Sequence, residues 1–335
     1  MMPPTTKSSE APTPTDVIII GAGWYGLSAA KTYLAVKSST TLQIIDNGDS
    51  IGGVWSKSRV YPRLVLNQPT PHMEYSDFSM SEVAGGLEDY SDISGELVTK
   101  YIEAYAEKHD LLKLCRFNTH VVRIVREPDL GPWRIITRPA DTPDAEVEEF
   151  RCMKLIVATG HETVPSLPSD LDLSGFSGKA FHVKELGKRH DEIIEDESIK
   201  SITVVGGNKS AFEVAANFGL AGKKVEWLIR EDGQGPGILH CDRSNGKDHD
   251  VKGMATRDVS AVTPSLYNPH KWITRFLYGG KNWFGRWFEV AFWKMVLKQH
   301  LELYKRPNLD KIKPVSDRSV FRITFHVLEY ELIVL

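Results

Sequence analysis

The stretch from Asp16 to Gly26, Asp-Val-Ile-Ile-Ile-Gly-Ala-Gly-Trp-Tyr-Gly, limits what this chain can fold into more than any other. Four apolar β-formers, Val17 to Ile20, run directly into Gly21-x-Gly23-x-x-Gly26. A helical pattern follows, with Leu27, Ala30, Lys31 and Leu34 on one face. A buried strand, a glycine turn and a helix in that order form a cradle for a dinucleotide. Gly21 permits the tight turn, Gly23 lets the backbone approach a pyrophosphate, and Gly26 lets the helix pack closely on the strand. The helix N-terminus offers free N–H groups and the positive end of its dipole to the phosphates. The next strand, Leu42 to Asp46, ends in an acid 20 residues after Gly26, where a ribose hydroxyl is held. A glycine turn of another kind of α/β protein would lack this register of strand, helix and acid.

The pattern returns at Ser201-Ile-Thr-Val-Val-Gly206-Gly-Asn208-Lys209-Ser210-Ala211, with a helix continuing through Phe218. Here Asn208 stands at the middle glycine. Asn tolerates positive φ better than most residues, but its side chain takes room beside a pyrophosphate. Gly206, Asn208, Lys209 and Ser210 are the candidate binding residues of this second turn. The following strand, Val225 to Ile229, ends in Arg230 where an NAD site carries a carboxylate. An arginine there pairs with a 2′-phosphate and favours NADPH over NADH.

The expected fold class is therefore α/β, with two Rossmann-like dinucleotide-binding domains. Between the two turns, Ser94 to His109 reads as an amphipathic helix capped by Ser94, its aromatic stripe belonging to the core. Runs at Val121–Val125, Trp133–Thr137 and Phe150–Val157 read as a small β-meander. The last run ends in Ala-Thr159-Gly160, and Pro165 and Pro168 stiffen the exit from the first domain. The domains are expected at 16–168 and 169–335, behind a Pro/Thr/Ser-rich disordered tail at 1–15.

Charge and cysteines narrow the function classes. A net charge of −3 gives no general attraction for nucleic acid or a membrane surface. The three cysteines are few and far apart, and read as reduced thiols of a cytoplasmic protein rather than a metal site or disulfide framework. No apolar run is long enough to span a bilayer, so no integral membrane segment is expected. The second domain carries an aromatic-rich helical insertion at about 233–305. Trp283, Trp287, Val290 and Lys294 share a helical face, read as core or as a lid over a substrate, with a membrane-surface helix as a third reading.

After Asp46 come Gly52, Gly53 and Trp55, where a glycine pair allows a second close approach to a bound nucleotide. Then follow Asn67, in a Leu-x-x-Asn segment, and Tyr75-Ser-Asp77-Phe78. With these motifs the chain resembles the flavin-containing monooxygenases (N,N-dimethylaniline monooxygenase-like), a group that also includes the Baeyer–Villiger enzymes. Phe176-Ser-Gly178-Lys-Ala-Phe-His182 matches the family fingerprint Phe-x-Gly-x-x-x-His, but Leu186 replaces the aromatic that closes it. His182 is expected to be a hydrogen-bonded structural residue rather than a catalyst.

The resemblance implies FAD at Gly21, Gly23, Gly26, Asp46, Gly53, Trp55, Thr159 and Gly160, and NADPH at Gly206, Asn208, Lys209, Ser210 and Arg230. It places Asn67 beside the reactive edge of the flavin as the catalytic residue, whereas Asn67-Gln-Pro by itself reads as a turn. It further implies that NADPH reduces FAD and that a flavin hydroperoxide, formed with molecular oxygen, oxygenates a soft nucleophile or a ketone. A fungal secondary-metabolism role is implied in the same way. Two other readings stand beside it: a nucleotide-binding remnant without catalysis, and a flavin reductase that passes hydride without oxygenation. In the family the chain returns to complete the first domain; here that portion is missing, and an apolar open sheet edge in a truncated product is expected.

Overall fold

The computed structural model describes residues 13–66, 70, 73–87, 91–161, 164–165, 172–229, 272–278, 282–288, 290–291, 294 and 332–334. Asn67, Arg230, the first 12 residues, the boundary at 168 and most of the insertion at 233–305 lie outside the described residues.

Strand β1 (Thr15–Ile20), helix α1 (Trp24–Val36) and strand β2 (Leu42–Ile45) form a parallel unit, with Ile19 paired to Ile44. The chain continues through α2 (Ser81–Ala84) and α3 (Gly95–Lys108) to β3 (Cys115–Arg116), β4 (Thr119–Arg126), β5 (Trp133–Pro139) and β6 (Glu148–Val157). These strands make one sheet in the order β3-β2-β1-β6-β5-β4. β1 is flanked by parallel neighbours on both sides and covered on both faces, which is why its sequence is apolar without alternation. Val17 and Ile19 face the cluster containing Leu27, Tyr101 and Tyr105, while Ile18 and Ile20 face Ile135 and Cys152. Ser94 caps α3 as expected, its hydroxyl accepting from Leu97 N–H at 3.2 Å. The meander is present as β4-β5-β6, antiparallel throughout.

One consequence of the strand lengths matters for the site. β5 covers β6 only as far as Cys152, so beyond it β6 has β1 on one side and, among the described residues, no strand on the other. Met153 and Val157 are 50% and 60% exposed there.

The second sheet contains β7 (Ala180–His182), β8 (Ser201–Val205), β9 (Lys224–Leu228) and β10 (Leu332–Val334), in the order β7-β10-β8-β9. β8 and β9 are parallel, and β10 runs antiparallel to both its neighbours. Helices α4 (Leu186–Glu195) and α5 (Lys209–Leu220) accompany it. Leu186 is fully buried in this domain's core, with Phe181, Ile193 and Phe218. The position where the family's fingerprint has an aromatic ring is thus filled by an aliphatic packing residue.

Of the readings of the aromatic insertion, burial in a core is not met by the tryptophans the structure describes, which leaves the lid and the membrane-surface helix. In helix α6 (Trp272–Tyr278) and the helical turn at 283–288, Trp272, Trp283 and Trp287 are 77%, 79% and 60% exposed. The reason is local. Gly285 brings the two helical pieces together, since a Cβ there would stand 2.6 Å from the Phe276 carbonyl oxygen. Asn282 donates to that same carbonyl at 2.6 Å and accepts from Gly285 N–H at 2.6 Å. Backbone and an Asn side chain make the closest contacts, Phe276 and Phe284 meet beside them at 6.0 Å, and the tryptophans stay exposed.

Candidate functional site: two glycine turns and the segment between them

The first turn is built as its sequence demands. Gly21 has φ +108°, and a Cβ on it would stand 2.8 Å from the Ala158 carbonyl carbon and 3.4 Å from Thr159 N. Only glycine fits, and the end of β6, with Thr159 and Gly160, is thereby held against the turn. A Cβ on Gly26 would overlap the Gly21 carbonyl oxygen, so strand and helix are as close as their backbones permit.

Gly23 and Gly53 face one another. A Cβ on Gly53, whose φ is +61°, would lie 3.2 Å from the Gly23 Cα, and one on Gly23 would lie 3.6 Å from the Gly53 Cα. Gly52 N–H donates to the Ala22 carbonyl at 3.0 Å, locking the glycine pair onto the turn. Two bare backbones therefore meet at one place, where a pyrophosphate can lie against main chain from both.

Asp46 closes the arrangement. Its carboxylate accepts from Ala22 N–H and from Gly48 N–H, each at 2.6 Å. The ribose acid of the sequence reading is thus also a brace between the end of β2 and the glycine turn. Trp55 packs half-buried against the core, and its carbonyl accepts from the Thr99 hydroxyl at 2.8 Å.

Behind the turn stands an aromatic stack that the motif did not reveal. Trp24 stacks on Tyr75 at 4.8 Å, and Tyr75 on Tyr105 at 3.9 Å. The Tyr75 hydroxyl donates to the Trp24 carbonyl at 2.6 Å. The Tyr101 hydroxyl accepts from Tyr75 N–H at 2.6 Å and donates to the Phe78 carbonyl at 2.5 Å. Burial pushes the Tyr75 and Tyr101 phenols well above their ordinary value, so both stay protonated as donors. Asp77 pairs with Lys31 on α1, whose hydrogen bond holds the carboxyl below the usual carboxylate range. Tyr75-Ser-Asp-Phe78 is therefore a strap that ties this stretch to α1 and α3.

In the second turn Gly206 has φ +142°, its N–H donates to Leu228 at 3.0 Å, and its carbonyl accepts from the Trp227 indole at 2.7 Å. Asn208 has φ −98°, ordinary extended backbone, so the tolerance of positive φ is not what it contributes. It is the N-cap of α5, its side-chain oxygen accepting from Lys209 N–H at 3.0 Å. Ala211, at the third position of the pattern, is buried in the core. The Lys209 ammonium reaches the other domain, donating to the Val65 carbonyl at 2.6 Å, and within α5 it donates to Glu213 at 2.5 Å. His182 is a hydrogen-bonded structural residue, its Nδ1 accepting from Lys184 N–H at 3.1 Å.

Two strand–glycine turn–helix units, the first meeting a second glycine pair, define a protein of two Rossmann-like nucleotide-binding domains. A family profile described as flavin-binding monooxygenase-like matches residues 15–273. The chain is 33% identical over 303 residues to "FAD-dependent monooxygenase DEP4" of Alternaria brassicicola, across 89% of this chain and 50% of that protein. It is 39% identical over 225 residues to "FAD-dependent monooxygenase rstn6" of Aspergillus nomiae, across 67% of this chain and 39% of that protein. Among solved structures it is similar in fold to cyclohexanone monooxygenase from Rhodococcus sp. Phi1 bound to NADP+. There the TM-score is 0.51 at 22% identity, across 65% of this chain and 38% of that one. The chain belongs to the flavin-binding monooxygenase-like family. It spans about half the length of the curated relatives it matches. Among the described residues no helix is long and apolar enough to cross a membrane.

Proposed function

We propose that this chain carries the two cofactor-binding domains, 16–168 and 169–335, of an FAD- and NADPH-dependent monooxygenase acting on a small molecule. The observation that carries the reading is the meeting of Gly23 and Gly53 beside the Asp46-braced turn. Main chain from two places converges there without side chains, as a flavin dinucleotide's pyrophosphate requires. When bound, FAD supplies hydride acceptance and oxygen activation, chemistry that no side chain here provides. Gly21, Gly23, Gly26 and Gly53 give backbone access to it. Asp46 keeps acceptor capacity for a ribose hydroxyl beside its two N–H partners. Trp55, Thr159 and Gly160 border the cradle, and Asn67, with both a donor and an acceptor, serves the reactive edge.

In the second domain Gly206, Asn208 and Ser210 form the cradle for NADPH, and Arg230 takes the 2′-phosphate through a charge-assisted pair. A cytoplasmic setting and a tailoring role in fungal secondary metabolism belong to the same reading and rest on the family resemblance alone.

The experiment is direct. The purified full chain should bind FAD and turn yellow, oxidise NADPH and take up oxygen. A colourless chain that binds no flavin refutes the reading, and NADPH oxidation with acceptors other than oxygen alone would make it a reductase. Replacing Arg230 by Ala should raise KM for NADPH by about tenfold or more, the worth of one charge-assisted pair, and leave NADH use unchanged. Equal losses with both nucleotides would remove the 2′-phosphate role.

A further inference from the structure

The segment Tyr61–Leu66, which runs straight into position 67, is held from two sides. From the first domain, Leu66 N–H donates to the Ile93 carbonyl at 2.8 Å and Gly95 N–H donates to the Leu64 carbonyl at 2.7 Å. From the second domain, one face of α5 supplies three side chains at positions 209, 213 and 217, each four residues from the last. The Lys209 ammonium donates to the Val65 carbonyl at 2.6 Å, and Glu213 accepts from Val65 N–H at 3.3 Å. Both backbone groups of one residue are thus read by a side-chain pair that is itself joined at 2.5 Å. The Asn217 amide donates to the Pro62 carbonyl at 2.5 Å, and its oxygen lies 3.3 Å from His190 Nε2.

These bonds hold a conformation that the segment would not keep alone. Arg63 has φ +63°, the left-handed region that a non-glycine side chain disfavours. Tyr61 is buried in the second domain's core, beside Phe181 and Leu186, although it belongs to the first-domain part of the sequence. The Glu213 carboxylate is nearly buried, with Oε2 unpartnered, and burial raises its pKa although Lys209 beside it favours the charged form. A buried carboxylate is kept where its cation and its N–H partner are both present.

We propose that Lys209 and Glu213, with Asn217, are positioning residues that clasp Val65 and Pro62 and so fix the approach to Asn67 against the second nucleotide turn, and that this, not phosphate binding, is the work of the Lys209 ammonium. The proposal rests on the functional reading above for what Asn67 does, but the clasp itself does not depend on it. Lys209 begins the helix whose N-terminus forms the nucleotide turn. The same residue therefore fastens the second turn to the segment that feeds the first site.

The test uses the full chain and four proteins: wild type, Lys209→Met, Glu213→Ala and Glu213→Gln. Amide hydrogen exchange without nucleotide reads the clasp, and calorimetric titration with NADP+ reads the phosphate site. Exchange at Val65 should be about tenfold or more faster in Lys209→Met and Glu213→Ala, as expected for losing a charge-assisted bond. Glu213→Gln keeps an acceptor for Val65 N–H and should restore part of the protection. It also keeps the test open if Glu213→Ala fails to fold. The NADP+ affinity of Lys209→Met should stay within about twofold of wild type, below the worth of a phosphate contact. In flavin-loaded chain, Lys209→Met should lower the reduction rate at saturating NADPH by about tenfold, as small misplacements near chemistry do.

Unchanged Val65 exchange in Lys209→Met and Glu213→Ala overturns the clasp. A tenfold loss of NADP+ affinity in Lys209→Met returns that ammonium to the phosphate and overturns its reassignment. A wild-type chain that binds no NADP+ refutes the functional reading instead, and the exchange measurement still decides the clasp.

Discussion

Replacing Asp46 by Asn changes almost no volume and removes one of two hydrogen bonds that the fold itself uses. The carboxylate accepts from Ala22 N–H and Gly48 N–H, each at 2.6 Å, distances at the short end for charge-assisted bonds. An amide has one oxygen. Whichever way it is flipped, one of the two N–H groups faces an NH2 group. Losing a hydrogen bond to a charged acceptor costs about 1.5–3 kcal/mol. Ala22 is fully buried, so water cannot restore the lost partner on that side, and the cost falls in the upper part of this range. A destabilisation of about 2–3 kcal/mol should lower the thermal midpoint of a domain of this size by roughly 4–12 °C.

The assay is denaturant unfolding of the chain without flavin or nucleotide, followed by tryptophan fluorescence. The midpoint should fall while the slope stays constant, because the exposed area is the same. Asp46→Ala should cost at least as much, having neither bond. A free energy within about 0.5 kcal/mol of wild type, the range of ordinary surface changes, would refute the reasoning. Asp46 would then be a ligand group alone, with no part in holding the turn.

Two further outcomes are expected. Tyr101→Phe leaves the Tyr75 N–H and the Phe78 carbonyl unpaired behind the first turn and should cost about 2–4 kcal/mol in the same unfolding assay. Tyr75→Phe gives up only the bond to the Trp24 carbonyl and should cost about 1 kcal/mol, so equal losses would contradict the assignment. Burial lowers the pKa of both His109 and His182 from the ordinary 6.5, and protonation of His182 would also break its bond from Lys184 N–H. The unfolded chain takes up these protons first, so their contribution is present above pH 6.5 and is lost as pH falls through the lower folded values. His182→Gln should flatten the drop in thermal midpoint on acidification through that window, and an unchanged drop would exclude His182 from it.

What the sequence made legible was local. Val17–Ile20 reads as a strand because no polar residue interrupts it, and Gly21 and Gly26 could be assigned because the backbone geometry they permit is used within a few residues. Ser94 was recognisable as a cap since its partner, Leu97 N–H, is three residues away. The bonds that join the two domains lie beyond such reasoning. Lys209 meets Val65 across 144 residues, and at the head of a nucleotide turn a lysine reads as a phosphate ligand. Lys209, Glu213 and Asn217 lie four residues apart, but nothing local says that this face of α5 meets backbone rather than solvent. Likewise the insertion of Leu332–Val334 between β7 and β8 depends on pairings with residues far upstream. The insertion's rings read as core or lid because apolar composition does not say which, and the exposure of Trp272, Trp283 and Trp287 follows from a close backbone contact at Gly285 that only the fold shows.

The chain between the two glycine turns is what joins the two domains. Gly52 is bonded to Ala22, so the stretch that follows it starts from the first turn. Asp49 then pairs with Lys188 at 3.3 Å, and a side chain at Gly187 would stand 2.6 Å from the Ser58 carbonyl oxygen. Pro62 and Val65 bond to α5. Each contact joins the second domain to this one stretch, not to the sheet of the first. Surface contacts such as Asp49–Lys188 are worth little in stability, about 0–1 kcal/mol. The Val65 clasp is partly buried and uses both backbone groups of one residue, so it holds the two domains more firmly than these outer contacts.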